Sequence, residues 1–282
     1  MSGTLYVVAT PIGNLEDITL RALRILREVA VIAAEDTRRT AKLLAHHGIP
    51  TRAVSFHEHN ARTRLPQLMG RLEGGESVAI VSDAGTPGVS DPGLELVQAC
   101  IARGVPIDPI PGASAPLTAL VASGFPLIPS TFYGFPPPKA NARTRWISDV
   151  CAVCHTVILF ESPHRIASLL AEAGPLLGTR PLLVARELTK VHQEFLRGTA
   201  GDLAKRLNEA RGEFTVVIGP KDQVVSAQLD MPDANRVASD FRQLTEIAGL
   251  ARRAAVTELA RRYGRSAREV YARIEDAKAR LS

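Results

Sequence analysis

The sequence predicts an α/β protein: two consecutive α/β blocks followed by a small helical segment. Three observations carry that expectation. Short apolar, β-branched stretches alternate with amphipathic helical stretches from residue 5 to residue 218, the rhythm of a sheet covered by helices. A run rich in Pro and Gly with interleaved aromatics, Gly124 to Pro138, interrupts the alternation and reads as an interdomain connection. A polar, aperiodic run, Pro220 to Asp233, precedes a stretch with helical spacing only. The expected domains are therefore 1–122, 123–222 and 235–282. At 282 residues the chain is long enough for two well-buried cores.

In chain order, Leu5 to Ala9 is a strand and Thr10-Pro11-Ile12-Gly13-Asn14 the turn after it. Thr19 to Glu28 carries an apolar stripe of Leu20, Leu23, Ile25 and Leu26 at helical spacing. Val29 to Ala34 is a strand that ends in the polar Glu35-Asp36-Thr37-Arg38, and Thr37 to His46 is a helix closed by Gly48 and Pro50. Val54 to His59 starts as a strand. Ser77 to Val81 is another, and it runs into SDAGTPGVSDPG, Ser82 to Gly93, the densest turn-forming run in the chain. Gly85, Gly88 and Gly93 permit positive φ and close approach to the backbone, while Pro87 and Pro92 stiffen the loop. A twelve-residue loop exceeds most strand-to-helix connections, and long loops in compact domains are usually functional. Asp83 sits at the carboxyl end of the strand, where open α/β sheets place their ligand crevice.

The helix Leu94 to Arg103 and the strand Val105 to Ile110 lead to a second small-residue turn, Pro111-Gly112-Ala113-Ser114-Ala115, and a helix from Pro116 to Ala122. Turns near Gly13, Gly85 and Gly112 then share one edge of a parallel sheet. In the second block, Thr144 to Val150 is helical, the strand Thr156 to Phe160 ends in Glu161-Ser162-Pro163-His164-Arg165, and Ile166 to Ala173 is a helix. The strand Pro181 to Ala185 ends in Arg186-Glu187-Leu188-Thr189-Lys190. Glu194 to Gly198, Thr199 to Glu209 and Glu213 to Ile218 read as strand, helix and strand. Leu250 to Tyr263 and Ala267 to Leu281 are two helices around Gly264-Arg265-Ser266, with Ser266 as N-cap, in the manner of a helix-turn-helix.

Charge is unevenly spread. Residues 236–282 hold 11 Lys and Arg against 6 Asp and Glu, whereas the remainder holds 23 of each, so the formal excess of +5 lies in the last segment. A basic excess confined there points to an anionic partner, nucleic acid first. No apolar run approaches a membrane span, and the first residues read as a strand without a basic leader, so a cytoplasmic protein is expected. Cys151, Cys154 and His155 spell C-x-x-C-H, but without an export signal or a second cysteine pair neither haem attachment nor zinc is expected. His57 and His59 lack a third ligand at a recognisable spacing, so no metal is expected.

The strand-end motifs, in order, are TPIGNLEDITLRAL from Thr10, AEDTR from Ala34, FHEHN from Phe56, SDAGTPGVSDPG, PGASA from Pro111, YGF from Tyr133, FESPHR from Phe160, and RELTK with Glu194 downstream. This set resembles the tetrapyrrole-methylase superfamily of S-adenosylmethionine-dependent methyltransferases. Within it, the set is most similar to the RsmI branch, bacterial small-subunit ribosomal RNA 2′-O-ribose methyltransferases that modify a cytidine of the decoding centre. The resemblance implies a two-domain tetrapyrrole-methylase-like fold with a small C-terminal helical domain and S-adenosylmethionine in the cleft between the α/β domains. It also implies a homodimer and 16S ribosomal RNA in the 30S subunit as substrate. Cofactor contacts are then expected from Ile12, Gly13, Asp83, Ala84, Gly85, Ser114 and Ala115, and from Phe160, Phe214 and Thr215 in the second domain. Two departures stand out. Ala9, Pro11 and Gly13 occupy the places of the G-x-G-x-G loop of the tetrapyrrole enzymes, and Phe135-Pro136-Pro137-Pro138 follows Gly134 where the branch often has a basic residue.

Methyl transfer from a sulfonium to a ribose hydroxyl needs alignment and removal of one proton. Glu161, Glu187 and Asp36 are the expected candidates for general base, and Lys190 for holding a phosphate or polarising the hydroxyl. Each equally suits an ion pair that keeps the cleft closed. Two other functions remain compatible: carbon methylation of a tetrapyrrole, and a non-catalytic RNA-binding module.

Overall fold

The computed structural model describes residues 2–89, 93–207, 211–221, 234–247, 250–263 and 266–279. Ser90 to Pro92 of the long loop, the end of the helix predicted to Glu209, most of the polar run before Asp233, Gly264 and Arg265 of the predicted turn, and the last residues lie outside these. The chain falls into two compact units, residues 1–221 and 222–282. No helix among the described residues is long and apolar enough to cross a membrane.

The first unit begins with an alternation of strands and helices: β1 (Leu5–Val8), α1 (Leu20–Glu28), β2 (Val31–Ala34), α2 (Thr37–His46), β3 (Ala53–Ser55), α3 (Ala61–Glu73), β4 (Val78–Val81), α4 (Leu94–Ala102) and β5 (Ile107–Ile110). The strands form a parallel sheet in the order β3-β2-β4-β1-β5. Side chains alternate across it because successive Cβ atoms of a strand point to opposite faces. Val31, Ala33, Val78 and Ile80 pack with Leu68, Leu72 and Leu96 under α3 and α4, while Ile32, Ala34, Ala79 and Val81 pack with Ile25, Leu26 and Leu44 under α1 and α2. With both faces covered, the strands read as continuous apolar runs. Pro109, which has no N–H for a ladder, is tolerated because β5 is an edge strand. Neighbouring β1 and β4 feed helices on opposite faces, which makes the gap beyond their carboxyl ends the sheet's topological switch point.

The second half continues with α5 (Ala115–Ser123), β6 (Ser130–Phe132), α6 (Ala140–Ala152), β7 (Thr156–Glu161), α7 (Ile166–Leu177), β8 (Leu182–Arg186), β9 (Glu194–Gly198), α8 (Ala200–Arg206) and β10 (Phe214–Ile218). Its sheet has the order β6-β7-β10-β8-β9 and is antiparallel except for the β6–β7 pair. Val157, Leu159, Val184 and Val216 face α6, α7 and α8. Ile158, Leu183 and Val217 face the other way, onto Ala119 and Leu120 of α5. So α5, which the residue pattern groups with the first block, covers the second sheet. A further departure is β6, a strand inside the run expected to be only a connection: Ser130-Thr131-Phe132 suits an edge position that needs a single ladder. Where the chain turns from α6 into β7, the buried guanidinium of Arg180 donates to the carbonyls of Cys151 (3.3 Å), His155 (2.8 Å) and Gly219.

The second unit holds α9 (Ala234–Arg242), a π-helical turn Gln243–Ile247, α10 (Arg252–Tyr263) and α11 (Ala267–Ala279) around Val237, Phe241, Leu259, Val270 and Ile274. Ser266 caps α11 as its sequence suggests: its Oγ accepts from the Glu269 N–H at 3.3 Å, and Glu269 Oε2 accepts from the Ser266 N–H at 2.8 Å, a reciprocal capping box.

Candidate active site

At the switch point the loops after β1 and β4 are stitched together. Thr10 and Gly85 exchange both backbone hydrogen bonds, at 2.8 and 3.0 Å, and Thr10 Oγ1 donates to the Ser82 carbonyl at 3.2 Å. Gly85 has φ +77°, a conformation that favours glycine. The loop after β2 joins the same knot: Asp83 Oδ1 accepts from the Asp36 N–H (3.0 Å), Glu35 Oε2 accepts from the Asp83 N–H (3.2 Å), and Arg39 Nε lies 3.4 Å from Asp83 Oδ2.

A cavity of ≈ 360 Å³ opens above this knot, between the carboxyl edge of the first sheet and the strand ends of the second. It brings together Ile12, Asp83, Ala84, Gly85, Ser114 and Ala115 from the first sheet's loops and α5 with Phe160, Glu161, Phe214 and Thr215 from β7 and β10. Ten of the fourteen residues singled out from sequence thus share one wall system, although the two groups lie far apart in the chain.

The other four stand elsewhere. Gly13 is packed against the loop after β8, where a Cβ would meet Lys190 Cγ at 2.5 Å and the Leu188 carbonyl oxygen at 2.9 Å. Asp36 caps α2, accepting from the Arg38 N–H at 2.8 Å. The Arg38 guanidinium hydrogen-bonded to it holds its carboxyl down at about 2. Glu187 and Lys190 form an ion-paired cluster with Glu213: Lys190 Nζ reaches Glu187 Oε1 (3.0 Å) and Glu213 Oε2 (2.8 Å), and Glu187 Oε1 also accepts from the Glu213 N–H (2.9 Å). Burial alone would raise the Glu187 carboxyl, but hydrogen bonds from Lys190 and the Glu213 N–H outweigh it and the net shift is downward. Burial likewise opposes the charge on Lys190, and hydrogen bonds to Glu213 and Glu187 override it upward. A lysine kept protonated and a carboxylate kept ionised by each other make a clasp. The clasp's loop also meets the first sheet, where the Asn14 N–H donates to Thr189 Oγ1 at 3.1 Å.

Residues not singled out from sequence also line the cavity, among them Glu35, Arg39, Phe135, Leu188 and Glu213. The signal for Glu35 was present: in Glu35-Asp36 the aspartate is the better N-cap, which leaves the glutamate for the site. Phe135 packs at a tilt against Phe160 at 5.2 Å between ring centroids, and Phe160 meets Phe132 edge-on at 4.9 Å, so the turn after β6 supplies an aromatic wall.

Glu161 is the most unusual group. It is the last residue of β7, and its side chain is 0% exposed. Oε1 accepts from the Ser162 N–H (2.7 Å) and from Arg165 Nε (3.0 Å) and Nη2 (2.8 Å), whereas Oε2 receives no donor among the described residues.

Residues 4–204 match the tetrapyrrole (corrin/porphyrin) methylase family. The chain is 50% identical over 220 residues, 77% of its length and 70% of the relative's, to a ribosomal RNA small subunit methyltransferase I of Micromonospora olivasterospora. It is 40% identical over 279 residues, 98% of its length and 96% of the relative's, to the protein of the same name from Streptococcus pyogenes serotype M1. Among solved structures, uroporphyrin-III C-methyltransferase of Thermus thermophilus in complex with S-adenosylhomocysteine superposes with a TM-score of 0.55 at 20% identity. That match covers 77% of this chain and 97% of the other, a likeness that speaks to fold alone.

Proposed function

The chain belongs to the tetrapyrrole methylase family, and we propose that it transfers the methyl group of S-adenosylmethionine to the 2′-hydroxyl of a cytidine ribose in the decoding region of 16S ribosomal RNA. One observation carries the reading: a cavity of small-molecule size lies at the switch point of a doubly wound sheet, in a chain whose full-length relatives bear a small-subunit rRNA methyltransferase name.

The residues present fit the cofactor. The volume falls in the range of roughly 300–1,000 Å³ typical of small-molecule sites. Among the described residues the lining holds Glu35, Asp83, Glu161 and Glu213 against the guanidinium of Arg39, a balance that favours a cationic sulfonium. Ile12, Asp83 to Gly85, Ser114 and Ala115 would hold the cofactor from the first sheet, with Phe160, Phe214 and Thr215 from the second. Gly13 acts on it indirectly, by letting the β8 loop approach. When bound, the cofactor supplies an electrophilic methyl group.

The protein's share is alignment and exclusion of water. The apolar walls of Ile12, Leu188, Phe160 and Phe214 shed solvent from the reacting pair, and a cavity walled by both sheets fixes donor and acceptor in one orientation, which removes much of the entropy cost of their meeting. The same reading places the enzyme in the cytoplasm as a homodimer acting on the 30S subunit. Exposed Leu117 and Val121, one turn apart on α5, offer such a dimer apolar surface to bury.

Incubation of the protein with methyl-labelled S-adenosylmethionine and 30S subunits lacking the modification tests the proposal. Label should enter 16S RNA, and ribose-methylation mapping should place it on a decoding-region cytidine. Label on a base, no label in the RNA, or no uptake of the cofactor in calorimetry would each refute it.

A further inference from the structure

Resting on that reading, we infer that Glu161, through Oε2, is the catalytic proton acceptor for the ribose hydroxyl. Among the described residues the other carboxylates of the cavity are engaged or open to water. Asp83 holds the Asp36 N–H and Arg39, Glu35 Oε2 holds the Asp83 N–H, and Glu213 Oε2 holds Lys190 on a side chain that is 67% exposed. Glu161 is fully covered, and all its donors converge on one oxygen.

That convergence has two physical effects. The Arg165 guanidinium sets a positive charge against the covered carboxylate. Three donors on Oε1 also fix the rotation of the carboxylate and leave Oε2 with unmet acceptor capacity. A buried acceptor with no donor is costly, and a donor entering from the adjoining cavity relieves that cost. A ribose hydroxyl is such a donor. Glu161 lies opposite Phe214 in the β7–β10 ladder and next to Phe160, on the same wall as the second-sheet residues proposed to hold the cofactor. The proton acceptor would therefore stand beside the residues that would hold the methyl donor.

In the step, the ribose oxygen forms a bond to the methyl carbon while the carbon–sulfur bond breaks and its electron pair returns to sulfur. The hydroxyl proton passes to Oε2, giving methylated ribose, a neutral thioether and a protonated Glu161 that later loses its proton to water.

The test compares wild type with Glu161→Gln for S-adenosylhomocysteine binding by calorimetry, for RNA binding, and for single-turnover methyl transfer. The glutamine keeps the shape and an oxygen for Arg165 but accepts no proton. Transfer should fall about 10²–10⁴-fold with both affinities unchanged. Transfer at the wild-type rate overturns the inference. So does loss of S-adenosylhomocysteine affinity, which would make Glu161 a cofactor ligand. Should the glutamine variant fail to fold, Glu161→Asp carries the test: it keeps a carboxylate beside Arg165 but withdraws it by one methylene, and must slow transfer without changing cofactor affinity, with an unchanged rate overturning the inference. A wild-type protein that binds no S-adenosylhomocysteine brings down the methyltransferase reading and this inference together. An intact wild type with an unimpaired glutamine variant brings down the inference alone.

Discussion

Replacing Gly13 with alanine should part the two loops that meet beneath the cavity. The added Cβ would lie 2.5 Å from Lys190 Cγ, 2.8 Å from Thr189 Oγ1 and 2.9 Å from the Leu188 carbonyl oxygen. Carbon contacts settle near 3.5–4.0 Å, so one loop must retreat by about 1 Å. Lys190 can swing aside, but the Leu188 carbonyl is main chain and cannot. The same retreat stretches the Asn14 N–H to Thr189 Oγ1 hydrogen bond from 3.1 Å to about 4 Å, beyond hydrogen-bonding range. Overpacking contributes about 1–3 kcal/mol and the lost bond about 1 kcal/mol, for a destabilisation of about 2–4 kcal/mol. Because Ile12 and Leu188 move with these loops, S-adenosylhomocysteine affinity should fall as well, tenfold for each ~1.4 kcal/mol that reaches the cavity. Urea denaturation and calorimetry read the two effects. Gly48→Ala is the control: Gly48 has φ +60° with nothing near its Cβ position, so it should cost only the left-handed strain of about 1–2 kcal/mol and leave cofactor affinity alone. A Gly13→Ala protein no less stable than the control and with wild-type affinity would show that the two loops do not meet as closely as these distances require.

Asp36 titrates at about 2 in the folded chain against 3.8 for the free group, so its contribution to stability is complete above 3.8 and fades as pH falls toward 2. Asp36→Asn should flatten the acid limb of the stability curve in that window, and an unchanged limb would show that the Arg38 contact does not persist in solution. Burial lifts the Cys100 thiol to about 11, while Cys154 is exposed. Iodoacetamide at neutral pH should therefore label Cys154 in the native protein and Cys100 only on unfolding, as mass spectrometry would record. Removal of residues 236–282, which hold the basic excess, should weaken RNA binding and flatten its salt dependence, with an identical salt slope counting against a role for that segment.

The first sheet's edge was legible because its information is local. A turn that needs positive φ at Gly85 requires glycine there, and a stretch such as Val78–Val81 buried on both faces has to be apolar throughout. The second sheet was less legible. Ser130–Phe132 sits among prolines, and its strand character comes from pairing with Thr156–Ile158, which residue types alone do not announce. The same limit applied to Glu187 and Lys190. Both stand at a strand end, as a catalytic group would, yet their partner Glu213 arrives only because Arg186 pairs with Phe214 across β8 and β10.

What separates the clasp from the proposed acceptor is therefore nonlocal satisfaction of polar groups. Glu161 and Glu187 occupy equivalent places in sequence, each at the end of a β-strand and each three or four residues before a cation, Arg165 and Lys190. Glu187 and Thr189 take φ of +51° and +66°, uncommon for residues other than glycine. That backbone aims Lys190 back between two carboxylates and makes Glu187 a partner in holding the loops together. Glu161 is followed by a tight turn, Ser162 to Arg165, that leads into α7, so Arg165 meets it four residues on and its donors leave one oxygen unbound. A strand-end carboxylate is thus assigned to structure or to chemistry by the turn that follows it, because that turn decides whether its second oxygen finds a donor within the protein or must take one from a ligand.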